Sequence, residues 1–114
     1  MIPRASEAAE KLAEQGIDVE IVDPRTLVPL DVDLILESVR KTNRAIIVQE
    51  AARRGGVASD IASILQAEAF DDLDAPIEIV AGKNTPIPYN ETLERVSVPQ
   101  TKDIVKAVRR AAYV

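Results

Sequence analysis

A chain of 114 residues with 14 basic and 19 acidic side chains, no cysteine and no histidine is short for a two-domain enzyme. It can form no disulfide framework, thiolate nucleophile or cysteine-ligated metal site, and it lacks the commonest general base and zinc ligand. The net charge of −5 argues against a nucleic-acid binder and favours a basic partner.

With one Phe, two Tyr and no Trp, the core has to be built from Val, Ile, Leu and Ala. No apolar run is long enough to span a bilayer, and Met-Ile-Pro-Arg lacks the apolar region of a signal peptide, so cytoplasm is the expected compartment. Residues 4 to 15 read as a helix: Ala5, Ala8, Ala9 and Leu12 recur at helical spacing, and Pro3 suits the first turn. Gly16 stands where a left-handed cap is wanted, and Ile17 can fold back onto Leu12. Ile17, Val19 and Ile21 then alternate with Asp18 and Glu20, which predicts a strand over Val19 to Val22 near a sheet edge, stopped by Pro24. Asp31 caps a second helix through about Lys41, with Val32, Ile35, Leu36 and Val39 as its buried stripe.

After a Thr42-Asn43 turn, Ala45 to Val48 is a continuous run of strand length, expected to be a central parallel strand buried on both faces. Gln49 and Glu50 lie at its C-terminal end, where ligand sites collect in open α/β sheets. A loop with Arg53, Arg54, Gly55 and Gly56 leads to a third helix over about Val57 to Ala69, burying Val57, Ile61, Ile64 and Leu65, with Phe70 packed at its end. Ile77 to Val80 is the third strand. Ala81 to Gln100, with Pro86, Pro88 and Pro99, reads as a long irregular connection. The last helix covers about Lys102 to Ala112, with Thr101 as its N-cap. Alternation of strands and helices predicts βαβ units and a mostly parallel sheet. Three strands are few for four helices, and the chain opens on a helix, so an N-terminal piece of the domain is expected to be missing.

Several clusters carry two readings. Gly55-Gly56 with Arg53 and Arg54 could hold an anion at a helix start, yet the spacing is neither G-x-G-x-x-G nor a Walker loop, and a tight turn with close helix–sheet approach is the favoured reading. Asp71, Asp72 and Asp74 lack the spacing of an EF-hand loop and fit a solvated cluster or an acidic patch better than a cation site. Glu50 is placed for acid–base work, but no neighbouring nucleophile or metal ligand supports it. Tyr89 could anchor an interface or pack its own loop.

The stretch AAEKLAEQGIDVEIVDPRTLVPLD at 8–31 resembles the C-terminal domain of the transketolase-like family, more narrowly that of the beta subunits of thiamine-diphosphate-dependent 2-oxoacid dehydrogenases acting on pyruvate, branched-chain 2-oxoacids or acetoin. ILESVRKTNRAIIVQEA at 35–51, GGVASDIAS at 55–63, LDAPIEIVAGKNTPIPYN at 73–90 and LERVSVPQTKDIVKAVRR at 93–110 match in the same order. The resemblance implies a three-layer α/β/α domain whose five-stranded mixed sheet begins with a strand pair that residues 1–114 lack. It implies an oxidoreductase in which an alpha subunit holds thiamine diphosphate and magnesium. The chain has no counterpart of the diphosphate-binding motif or of the pyrimidine-activating glutamate, so no cofactor, metal or catalytic residue is expected on it, and alone it is expected to be inactive.

The implied work is assembly and docking: pairing with a second beta subunit, supporting the active-site channel beside the alpha subunit, and holding the basic subunit-binding domain of the acyltransferase core of the multienzyme complex. The docking positions that match are Asp74 and the terminal carboxylate of Val114, an arrangement in which charge-assisted pairs speed encounter and fix register. Gln49 departs from the family pattern, in which many relatives carry His, so no proton transfer is assigned to it. Two other readings stand beside this one: a free-standing interaction module of the same fold, and a small anion-binding α/β protein using Arg53 and Gly55-Gly56.

Overall fold

The computed structural model describes residues 1–83 and 90–113. Two parallel strands form its sheet, with helices on both faces. In chain order the elements are α1 (Ile2–Ala13), α2 (Val32–Thr42), β1 (Ile46–Ala52), α3 (Val57–Glu68), a 3-10 turn (Phe70–Asp72), β2 (Glu78–Gly82), α4 (Glu91–Ser97) and α5 (Thr101–Ala111).

The helix ends follow from local sequence. Gly16, at φ +79°, ends α1 in the left-handed conformation, with the Ile17 N–H returning to the Leu12 carbonyl at 3.0 Å and the Gly16 N–H to that of Ala13 at 3.0 Å. The Asp31 carboxylate accepts the Leu34 N–H at 3.1 Å and caps α2, which Asn43 ends at φ +64°. The capping residue of α5 is Gln100 rather than Thr101: its N–H donates to Asp103 Oδ2 at 2.9 Å, which places the first helical residue at Thr101.

The parallel pair registers Ile46 with Glu78, Ile47 with Ile79 and Val48 with Val80, then shifts between Val48 and Ala52, where Ala52 meets Gly82. Side-chain alternation sends Ile46 and Val48 into one core with Ala8, Leu12, Val80, Ile104, Ala107 and Val108 of the α1/α5 layer. Ala45 and Ile47 enter the other, with Leu36, Val39, Leu65 and Ala69 of the α2/α3 layer. This is the three-layer α/β/α arrangement expected from the sequence. Leu12 and Leu65, each 1% exposed, are the deepest large side chains of the two layers. Burying a leucine to that extent contributes about 1.5–3 kcal/mol.

The structure corrects several expectations. Residues 19–22 join no ladder; Ile17 and Val19 pack against the α1/α5 core, but among the described residues no strand lies beside the backbone of 18–22. Alternating apolar residues supply the face of a strand, while pairing needs a neighbour. For the same reason β1 is half-buried along Ile46 to Val48 rather than enclosed on both faces, since β2 covers one edge alone. The stretch expected to be irregular contains the end of β2 and the short helix α4, whose start Asn90 caps by accepting the Thr92 N–H at 2.9 Å. Val57 (40% exposed) and Phe70 (64%) are surface residues, because the α2/α3 core closes on Ile61 and Leu65 instead. Tyr89, Pro86, Pro88 and Val114 lie outside the described residues.

Candidate functional site

The C-terminal end of β1 is where ligand sites are sought first in such a sheet. Here Gln49 fills it. Its Nε2 donates to the carbonyls of Ala52 at 2.9 Å and Ala51 at 3.3 Å, while its Oε1 accepts the Ala58 N–H at 2.9 Å. Ala58 is the second residue of α3, and its N–H is one that a capping side chain normally takes. The position before α3 belongs to Gly56, which has no side chain, so Gln49 caps the helix from across the loop. Gly55 makes the turn at φ +69°, and a Cβ on Gly56 would collide with the Gln49 amide and stand 2.8 Å from the Ala52 carbonyl oxygen. This is the tight turn with close helix–sheet approach that the Gly-Gly pair suggested. Arg53, Arg54 and Glu50 are exposed around it.

The second cluster is the acidic corner after α3. Asn43 organises it: its backbone carbonyl accepts the Asp74 N–H at 2.8 Å, and its Nδ2 donates to the Asp72 carbonyl at 2.9 Å. Arg40 pairs with Asp72 at 3.5 Å. Leu73 packs into the α2/α3 core and Ala75 is buried, so Asp74 is turned outward between two anchored neighbours. The Asp74 carboxylate is exposed, with no hydrogen bond or ion pair among the described residues.

The end of α5 reaches the same corner. Arg44 Nε donates to the Ala111 carbonyl at 2.7 Å, and Arg110 contacts both Glu78 carboxylate oxygens, at 3.4 and 3.2 Å. Tyr113 then donates its hydroxyl to the Asp74 carbonyl at 3.4 Å. Asp74 and the residue before Val114 are thus brought together, while Val114 itself is outside the described residues. Sequence reasoning missed Asn43 and Tyr113. An Asn directly after a helical stripe signals a left-handed cap and could have pointed to the first; no local signal marks the second.

Among the described residues no three carboxylates lie together as a metal site. At the start of α3 the Ala58 N–H is taken by Gln49. No helix among the described residues is long and apolar enough to cross a membrane.

Helical layers cover both faces of the parallel strands, the strand-end position is closed by a glutamine strut and the outer corner is acidic, which makes this a three-layer α/β domain. Residues 1–104 match the family model described as transketolase, C-terminal domain, and the chain belongs to that family. It is 50% identical over 109 residues to the pyruvate dehydrogenase E1 component subunit beta of Rickettsia felis, covering 96% of this chain and 33% of that protein. Against the mitochondrial subunit beta-1 of Arabidopsis thaliana the identity is 46% over 113 residues, with 99% and 31% covered. Against the beta subunit of the acetoin:2,6-dichlorophenolindophenol oxidoreductase of Cupriavidus necator it is 46% over 110 residues, with 96% and 32% covered. A solved structure described as a split-gene transketolase, inactive beta4 tetramer, superposes with a TM-score of 0.81 at 30% identity, covering 97% of this chain and 35% of that one. The chain spans about a third of the length of the curated relatives it matches.

Proposed function

We propose that residues 1–114 are the C-terminal assembly and docking domain of a 2-oxoacid dehydrogenase beta subunit. In this reading the domain supports oxidative decarboxylation inside a multienzyme complex without supplying a catalytic group. Thiamine diphosphate and magnesium belong to the assembled enzyme, held beside an alpha subunit, and the isolated chain is inactive. A second beta subunit and the basic subunit-binding domain of an acyltransferase core are its other partners. The observation that carries the docking assignment is the corner at Asp74, where an exposed carboxylate stands on backbone that Asn43 and Tyr113 hold beside the end of α5. A solvent-facing carboxylate on anchored backbone can accept an arginine without first losing another partner, and the Val114 carboxylate is the second acceptor proposed.

The test is binding of the chain to a purified subunit-binding domain of such an acyltransferase, read by calorimetry at two salt concentrations. Asp74→Ala is expected to weaken binding about tenfold or more, and added salt to weaken it further. Unchanged affinity in Asp74→Ala and in a variant with its terminal carboxylate amidated would overturn the docking assignment.

A further inference from the structure

Tyr113 stands where neither the core nor the end of a helix calls for a tyrosine. Its side chain is 70% exposed, so it fills no core. Its backbone leaves α5 at φ +59°, a left-handed conformation that bulky residues rarely adopt and that glycine takes without strain. The hydroxyl donates to the Asp74 carbonyl at 3.4 Å, which ties the ring to the main chain carrying the exposed Asp74 carboxylate. Three arginines hold this corner together, and each already has its partner. Arg40 pairs with Asp72 at 3.5 Å, Arg44 with the Ala111 carbonyl at 2.7 Å and Arg110 with Glu78 at 3.2 Å. Among the described residues the Asp74 carboxylate has no cation of its own, while an open aromatic ring is fastened to its backbone.

We infer that Tyr113 makes this corner select arginine over lysine in its protein partner. A carboxylate alone accepts either cation. A guanidinium is planar, so it can meet the carboxylate edge-on with two parallel N–H donors while its flat face lies over an aromatic ring. An ammonium is a compact, strongly hydrated point charge with no flat face to lay there. Asp74 therefore supplies the charge and Tyr113 the surface that distinguishes the two. The division of labour within the tyrosine follows from its contacts: the hydroxyl sets where the ring stands, and the ring does the selecting. The partner that fits is a basic protein surface presenting an exposed arginine.

The role of Tyr113 rests on the docking reading above. The probes are a purified subunit-binding domain of an acyltransferase and the same domain with its surface arginines replaced by lysine, each titrated by calorimetry against the intact chain. The unaltered chain is expected to bind the arginine form at least about fivefold more tightly than the lysine form. In Tyr113→Leu that preference is expected to fall to about twofold or less. Tyr113→Gly, whose backbone takes the left-handed conformation without strain, is a second ring-free variant and is expected to behave alike. Tyr113→Phe loses the hydroxyl and keeps the ring, and its preference is expected to persist. A purely structural role would move Tyr113→Phe and Tyr113→Leu together, since both lose the contact to Asp74. An undiminished preference in the ring-free variants, or equal loss in Tyr113→Phe, overturns the inference. Asp74→Ala separates it from docking itself: unchanged affinity there defeats both, whereas weakened affinity with an undiminished preference in Tyr113→Leu defeats the role of Tyr113 alone.

Discussion

The side-chain oxygen of Gln49 accepts the backbone N–H of Ala58 at 2.9 Å, so a residue on β1 caps a helix whose own capping position is a glycine. The same amide donates to Ala52 and closes the intervening turn. Removing it in Gln49→Ala leaves the Ala58 donor and the Ala52 acceptor to water or to nothing, and is expected to cost about 1–2 kcal/mol. Urea unfolding followed by circular dichroism measures this. A variant with unchanged midpoint would show that the strut carries no stability.

Gly56→Ala tests the same arrangement from the other side. Its Cβ has no space between the Gln49 amide and the Ala52 carbonyl, so the turn must open. The expected loss is about 1–3 kcal/mol. In the Gln49→Ala background the penalty should shrink, because one of the two colliding groups is gone; a thermal-melt double-mutant cycle reads the difference.

Glu20 and Lys41 tie the unpaired segment to α2, and each shifts the other. A hydrogen bond from Lys41, with its charge and a smaller contribution from Ser38, holds the Glu20 carboxyl below its ordinary 4.5; the same contact raises Lys41 above 10.5. A lowered acid stabilises the fold above 4.5 and loses that contribution as pH falls through its folded value. The raised lysine contributes fully below 10.5 and loses its contribution as pH climbs through its own. Both groups are on the surface, so the effect is local and salt-sensitive. The amide signals of Val19 and Ile21 are expected to shift below pH 4.5, and Glu20→Gln to abolish that shift. Persistence of the shift in the variant would assign it to another group.

Asp103→Ala removes the acceptor for the Gln100 N–H at the start of α5. About 1 kcal/mol of stability should go with it. Asp103→Asn keeps an acceptor and should recover part of the loss, as measured by the urea midpoint.

How much of this was legible depended on how far each determinant lies along the chain. The end of α1 could be read from Leu12, Gly16 and Ile17 because all its parts sit within six residues. The alternation of residues 17–22 was also legible, but the strand it implies needs a partner that the described residues do not place beside it. Gln49 could not be assigned from sequence, since its role depends on a backbone N–H nine residues away across a turn. At α5 the preference of threonine for capping positions pointed one residue too far, and the Gln100–Asp103 exchange won. Phe70 and Val57 were expected inside because they are apolar, yet the nearer core closes without them. For the corner, the carboxylate at Asp74 came from the resemblance; the contacts from Asn43 and Tyr113 that fix its backbone came from the fold.

The alternation of β1 has a consequence for mutational coupling. Because Leu12 and Leu65 occupy cores on opposite sides of one strand, the sheet is a partition across which local relaxation should travel poorly. Leu12→Ala and Leu65→Ala should each cost about 2–5 kcal/mol. In milder form, Leu12→Val with Leu36→Val, a leucine of the second core that lines no cavity with Leu12, their costs should sum to within about 0.5 kcal/mol. One half of the domain could then diverge in sequence without asking the other half to follow.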